Sequence, residues 1–225
     1  MKNIVKITLL TLVVSIASCA DDQPTLSVAE KPELKILILG NSIVKHSPAP
    51  SLGWYGDWGM AATAPDRDFV HVFSDKLSRW DKFQVSVESQ NIAYWENDFS
   101  YELDQFPEVF GKSYDLIIVR LGENVSDTDH YEQALTDMVA QFKTDADQPV
   151  IITGVVWPDD AKEVIHRQVA QTNSYLYIPF DEFRSNSNNY SWGLYENGAL
   201  AAHPSDLGMA EIASLLYEAT VSFYD

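Results

Sequence analysis

One cysteine in 225 residues, Cys19, permits no internal disulfide, so the fold does not rest on a disulfide framework. Basic residues are scarce: 15 Lys and Arg stand against 33 Asp and Glu, a formal charge of −18. Phosphate contacts and adsorption to anionic lipid both need Lys and Arg, so this balance argues against a nucleic-acid partner and against binding to an anionic membrane surface by charge. No internal repeat and no low-complexity block occurs. His46, His71, His130 and His166 lack metal-ligand spacing, so no metal is assigned, and nothing in the sequence calls for a cofactor.

The N-terminus has a long enough apolar run for targeting, but not a comfortable membrane span. Lys2 and Lys6 give a positive start, and Ile7 to Ile16 is apolar but short of the roughly 20 residues a spanning helix needs. Ile16-Ala17-Ser18-Cys19 then resembles the lipobox of bacterial lipoproteins. The resemblance implies cleavage before Cys19, lipidation of Cys19, and a membrane held through that lipid. An ordinary secretory signal with Cys19 as a bystander is the rival reading. Ala20, where aspartate favours inner-membrane retention, implies the outer membrane of a Gram-negative envelope, facing either periplasm or exterior. Residues 1–18 therefore read as a lipoprotein signal peptide, 19–32 as a flexible acidic tether and 33–225 as one domain large enough for a proper core. Loss of Lys2 and Lys6 would take the charge from −18 to −20.

Leu34 to Leu39 is an Ile/Leu run that ends at Gly40, with Ser42 two residues beyond. Such a run reads as a strand buried on both faces. Gly40 would let the chain turn sharply there. Ser42 stands where a nucleophile would sit in an open α/β sheet, and equally where a helix cap would. Further strands are expected at Lys82–Glu88, Tyr114–Leu121, Pro149–Val156 and Tyr175–Pro179. Helices are expected at Asp66–Trp80, Asp129–Lys143, Ala161–Thr172 and Ser205–Phe223, and over the scattered aromatics of Trp95–Phe110. This alternation implies an α/β fold: a three-layer α/β/α sandwich around a mostly parallel five-stranded sheet.

Four motifs fall at strand ends or loops, in order: Gly40-Asn41-Ser42-Ile43, Trp58-Gly59-Met60, Gly122-Glu123-Asn124 and His203-Pro204. In order and spacing they resemble the SGNH, or GDSL-type, serine hydrolases, whose fold is flavodoxin-like. The resemblance implies Ser42 as nucleophile and His203 as general base and acid. It implies an oxyanion hole made by the N–H groups of Ser42 and Gly59 and the side-chain amide of Asn124. The chemistry suits these types: a hydroxyl needs a base to take its proton, and fixed donors stabilise the tetrahedral oxyanion. The G-x-S-x-G elbow of α/β-hydrolases is absent.

Two positions depart from the family pattern. Asn41 stands where aspartate is usual, and Leu200 where an aspartate would orient the histidine. Asp181, Glu196 or Asp206 could substitute, or a backbone carbonyl near Leu200 could take the Nδ1 proton and leave a Ser42–His203 dyad. Arg120 and Glu123 read as a structural ion pair. Trp54, Tyr55, Trp58, Trp95, Trp157 and Trp192 read as core or loop anchors, several of them in loops near the rim, where flat rings suit sugars. The expectation is a serine esterase working through an acyl-enzyme, with an acylated small molecule or polysaccharide as substrate and O-deacetylation of polysaccharide foremost. A broad lipase, arylesterase or thioesterase, and a non-catalytic glycan-binding lipoprotein, stand as rivals.

Overall fold

Leu34, Ile36 and Ile38 pack on one face of strand β1 (Glu33–Gly40), Leu37 and Leu39 on the other, and all five are buried. A strand covered on both faces reads as a continuous apolar run, and β1 sits mid-sheet accordingly. The computed structural model describes residues 30–225, of which Lys31–Asp225 form one compact unit. The segment read as a signal peptide, Cys19 and all but the end of the tether lie outside the described residues.

The other strands are β2 (Gln84–Asn91), β3 (Leu116–Arg120), β4 (Val150–Thr153) and β5 (Leu176–Ile178). They run in the order β2-β1-β3-β4-β5, and every pairing is parallel. Helices α1 (Phe69–Ser78) and α7 (Asp206–Tyr224) cover one face, where Phe69, Phe73, Ile212 and Leu216 meet Ile36 and Ile38. Helices α3 (Tyr131–Phe142) and α4 (Asp160–Thr172) cover the other, where Leu135, Met138 and Val169 meet Leu37 and Leu39. The three-layer α/β/α sandwich expected from the alternation is the architecture found.

The described residues also include three short α-helices: α2 (Ala93–Asn97), α5 (Asp181–Ser185) and α6 (Gly198–Ala201). The long helix expected over Trp95–Phe110 does not form. Asp98 accepts from the Ser100 N–H at 3.0 Å, an Asx turn that ends α2, and Pro107 disfavours a helical Phe106. The aromatic residues there pack on one another instead, with Trp95 against Phe99 and Tyr101 against Phe106. Helix α1 begins later than expected because Asp68, in extended conformation, is its cap and accepts from the His71 N–H at 2.8 Å. Strand β2 runs three residues further than expected: Ser89, Gln90 and Asn91 pair with β1 although they carry no apolar alternation.

The carboxyl ends of β1 and β3 lie side by side, where the order reverses from β1–β2 to β1–β3. Ligands in open parallel sheets bind beyond that switch point. Gly40 ends β1 there with an ordinary negative φ, so its role is space rather than a left-handed turn. A Cβ at this position would press on Val44 Cγ2 and lie 2.5 Å from the Arg120 carbonyl oxygen. Gly40→Ala is expected to destabilise the fold by about 1–3 kcal/mol through overpacking, read as a lower denaturant midpoint.

Candidate active site

After β1 the chain turns through one tight helical step: the N–H groups of Val44 and Lys45 both donate to the Asn41 carbonyl, at 2.9 and 3.1 Å. Ser42 is thereby lifted over the end of the sheet, and its own carbonyl accepts from the Met60 N–H at 2.9 Å. Its Oγ lies 2.9 Å from His203 Nε2, although the two are 161 positions apart in sequence.

His203 precedes the cap of α7, where the Ser205 side chain accepts from the Gly208 N–H. Its carbonyl accepts from the Ser191 N–H at 2.9 Å, and its ring meets Trp157 edge-on with centroids 5.4 Å apart. Nδ1 lies 2.9 Å from the Ala199 carbonyl oxygen. A carbonyl can only accept, so Nδ1 carries the proton and Nε2 is free to accept from Ser42. Burial pushes the imidazole below its ordinary pKa, against the opposing pull of the Ala199 bond and of Glu123. It is therefore neutral, and able to act as a base, at pH 7.

Among the described residues no carboxylate hydrogen-bonds to this ring. Asp206 accepts from the Thr63 N–H and hydroxyl, Asp181 pairs with Arg184, and Glu196 is exposed. Those three candidates for an orienting acid are corrected, and the remaining alternative, a backbone carbonyl near Leu200, is the one that meets the ring: that of Ala199. The cause is local. Asn197 caps α6 through the Ala199 and Leu200 N–H groups, and the end of so short a helix leaves carbonyls free. The Leu200 side chain, at the position of the usual aspartate, is buried beside Trp54, Met60 and Ala61.

The expectation for Gly59 is also corrected. Its N–H donates to Asp68 Oδ2 at 3.1 Å, and Gly59 does not line the cavity at Ser42. A glycine stands there because a Cβ would lie 2.7 Å from the Ile43 carbonyl oxygen. Its neighbour Met60 lines the cavity instead. The Ser42 N–H has no acceptor among the described residues, and Asn124 lines the cavity as expected. One hydrogen of the Asn124 amide goes to Glu96 Oε2 at 2.7 Å, which leaves the other.

Beneath these groups lies a buried charged layer. Arg120 Nη1 donates to both oxygens of Glu123, at 2.7 and 2.8 Å, with neither side chain exposed. Burial raises the Glu123 pKa, but Arg120, the Val156 N–H and Asn41 outweigh it and hold the carboxyl below its ordinary range. Asn41 Nδ2 donates to Glu123 at 2.7 Å and, more distantly, to Glu96 at 3.3 Å. Among the described residues Glu96 pairs with no cation. Burial and the neighbouring Glu123 raise its pKa, opposed by Asn124, Gly122 and Asn41.

Ser42 and His203 open on a cavity of about 940 Å³. Leu52, Met60, Tyr94, Phe106, Trp157 and Trp192 supply its apolar surface, and no Lys, Arg, Asp or Glu side chain lines it. Tyr94 and Trp192 are 70% and 55% exposed, whereas Trp54 and Trp95 are core. The end of β2 and the start of α2 form a wall not expected from the sequence: Gln90, Asn91, Ala93 and Tyr94. Its one available signal is Asn91, whose Oδ1 accepts from the Ala93 N–H at 2.8 Å in an Asx turn. Glu96 was missed as well, since an acid inside an aromatic run carries no periodic mark.

No protein-family model matches the chain, and no curated protein matches its sequence. Solved structures do match its fold. A two-domain esterase active on acetylated mannans is 16% identical with a TM-score of 0.56, covering 86% of this chain and 51% of that one. This chain thus spans about half the length of that esterase. An acetyl xylan esterase is 14% identical with a TM-score of 0.55, covering 83% and 99%. A member of the lipolytic G-D-S-L family from Veillonella parvula is 14% identical with a TM-score of 0.50, covering 82% and 97%. The described domain has the SGNH/GDSL hydrolase fold.

The buried imidazole predicts its own titration. Because burial disfavours the cationic form, the neutral ring persists to lower pH, and His203 should titrate below the ordinary value of 6.5. Side-chain NMR of the five histidines across pH, with His203→Gln to assign the resonance, measures it. A midpoint at or above 6.5 would contradict the burial described.

Proposed function

We propose that this protein is a serine esterase that hydrolyses carboxylic esters through an acyl-enzyme on Ser42, with an acetylated polysaccharide as its substrate. The observation that carries the reading is the 2.9 Å contact between Ser42 Oγ and His203 Nε2, with Nδ1 held by the Ala199 carbonyl. Ser42 Oγ attacks the ester carbonyl as its proton passes to His203 Nε2. The Ser42 N–H and the free hydrogen of the Asn124 amide face the charge that develops on the carbonyl oxygen. His203 returns the proton to the leaving alkoxide, the C–O bond breaks, and acetyl remains on Ser42. Water then attacks the acyl carbon, gives its proton to His203, and acetate leaves as that proton returns to Ser42.

The choice of substrate rests on the cavity. Tyr94 and Trp192 stand exposed at its lining, where aromatic faces stack on sugar rings. Two of the structural neighbours act on acetylated mannans or xylan. In a chain of formal charge −18, a cavity without Lys or Arg has no counter-cation for a uronate polymer, which favours neutral backbones. The address is likewise a proposal: the Ile16–Cys19 motif supports a lipid anchor on Cys19 in a Gram-negative envelope.

Hydrolysis of p-nitrophenyl acetate should fall by about 10³-fold or more in Ser42→Ala, and a fluorophosphonate should label the native protein but not the variant. Undiminished turnover in Ser42→Ala would end the mechanism. Acetate release should be faster from acetylated xylan or mannan than from acetylated pectin, and faster than release of long acyl chains from lipid esters. Glycan binding without turnover would favour the non-catalytic rival. Expressed in a Gram-negative host, the protein should partition with membranes, and Cys19→Ser should release it; membrane association unchanged by that substitution would refute the anchor.

A further inference from the structure

We propose that Glu96 is a positioning residue for the oxyanion site: its carboxylate holds the Asn124 amide by one Nδ2 hydrogen so that the other faces Ser42. The inference rests on the esterase reading above.

Glu96 lies on α2, just past the end of β2, and its residue surface is 1% exposed. Every polar group that meets it is a donor. Oε2 accepts from Asn124 Nδ2 at 2.7 Å, and Oε1 accepts from the Gly122 N–H at 2.6 Å. Longer contacts reach Oε1 from the Asn124 N–H at 3.4 Å and from Asn41 Nδ2 at 3.3 Å. One carboxylate thus joins the residue before Ser42 to the loop that follows β3. Only a group with two acceptor oxygens and no donor satisfies that set.

The consequence falls on Asn124. A primary amide has two faces of nearly equal shape and opposite polarity, and a half-turn exchanges Nδ2 for Oδ1. If Oδ1 faced Glu96, two acceptors would meet in a buried space, and the amide would present Nδ2 elsewhere. The carboxylate excludes that rotamer. It therefore selects the orientation in which a hydrogen, rather than an oxygen lone pair, is left for an incoming oxyanion. Glu123 cannot serve this purpose, because Arg120, Asn41 and the Val156 N–H already occupy its oxygens. Glu96 need not touch substrate: it acts through Asn124.

The test is a double-mutant cycle on the full chain, with p-nitrophenyl acetate, between Glu96→Gln and Asn124→Ala. Glu96→Gln should lower kcat by about 10- to 100-fold and leave KM within about threefold, since the amide acts in the transition state. In the Asn124→Ala background the same change should cost nothing further, because the group it positions is gone. An equal loss in both backgrounds would overturn the inference. If Glu96→Gln does not fold, Glu96→Asp is read in the same cycle, with the same overturning result. A second readout does not depend on turnover. The side-chain amide of Asn124, identified by its loss in Asn124→Ala, should show one proton shifted downfield by the carboxylate, and Glu96→Gln should remove that shift. An Asn124 amide indifferent to Glu96→Gln also overturns the inference. A native protein without Ser42-dependent turnover would defeat the esterase reading, and the amide shift would then decide the clamp alone.

Discussion

The contact between Ser42 Oγ and His203 Nε2 depends on two rigid ends meeting. One is the carboxyl end of β1, buried on both faces; the other is the capped start of α7. Bringing groups 161 residues apart into register costs chain entropy that neither residue repays by itself. The sheet and the α1–α7 layer carry that cost. Local bonds then remove the remaining freedom. The Met60 N–H fixes the Ser42 carbonyl, the Ser191 N–H fixes the His203 carbonyl, and Ser205 fixes the helix that follows. A site set on element ends in this way keeps its geometry without depending on loop order.

The Ala199 carbonyl is a weaker partner for His203 than a carboxylate would be, but it performs part of the same task. It fixes the tautomer, which is a matter of geometry and needs only an acceptor. In the proposed mechanism it would supply less stabilisation of the imidazolium formed when the serine proton is taken, because it carries no full charge. Glu123 draws the His203 pKa upward at longer range, but its partner Arg120 and His46 oppose it, and burial keeps the ring below its ordinary value. The pair is therefore a dyad whose tautomer is set by an uncharged backbone group.

Much of this was legible in the sequence. Continuous apolar runs marked β1, β3 and β4 because strands covered on both faces need no alternation. Ser42, Asn124 and His203 were singled out by the resemblance of their motifs to those of the SGNH hydrolases, and position in the chain alone left each of them open to a bland reading as a cap or turn residue. The failures share a cause. Gly59 looked like a donor, yet whether an N–H is free depends on Asp68 nearby in the fold, which the Trp58-Gly59-Met60 motif does not reveal. The orienting group is the main-chain option left open near Leu200, which no side-chain pattern could rank above the three carboxylates. The segment after β2 was read as a helix on scattered aromatics alone, while Asp98 and Pro107 dictated turns.

The buried charges explain the departure at Asn41. Glu96 and Glu123 lie close enough to raise one another's cost, with a single guanidinium, Arg120, between them and neutrality. Burying a carboxylate without a partner costs several kcal/mol. An aspartate at position 41 would add a third carboxylate where Nδ2 now donates to both glutamates. Asparagine keeps what the turn needs, since its Oδ1 still accepts from the Ile43 N–H at 3.2 Å. It also replaces repulsion with two donated hydrogens. The identity of residue 41 is thus set from below, by the acids under the sheet's edge, and not by the chemistry of Ser42 beside it. The same reasoning ties the first and third motifs into one unit: Asn41 donates to both Glu96 and Glu123, and Asn124 donates to Glu96.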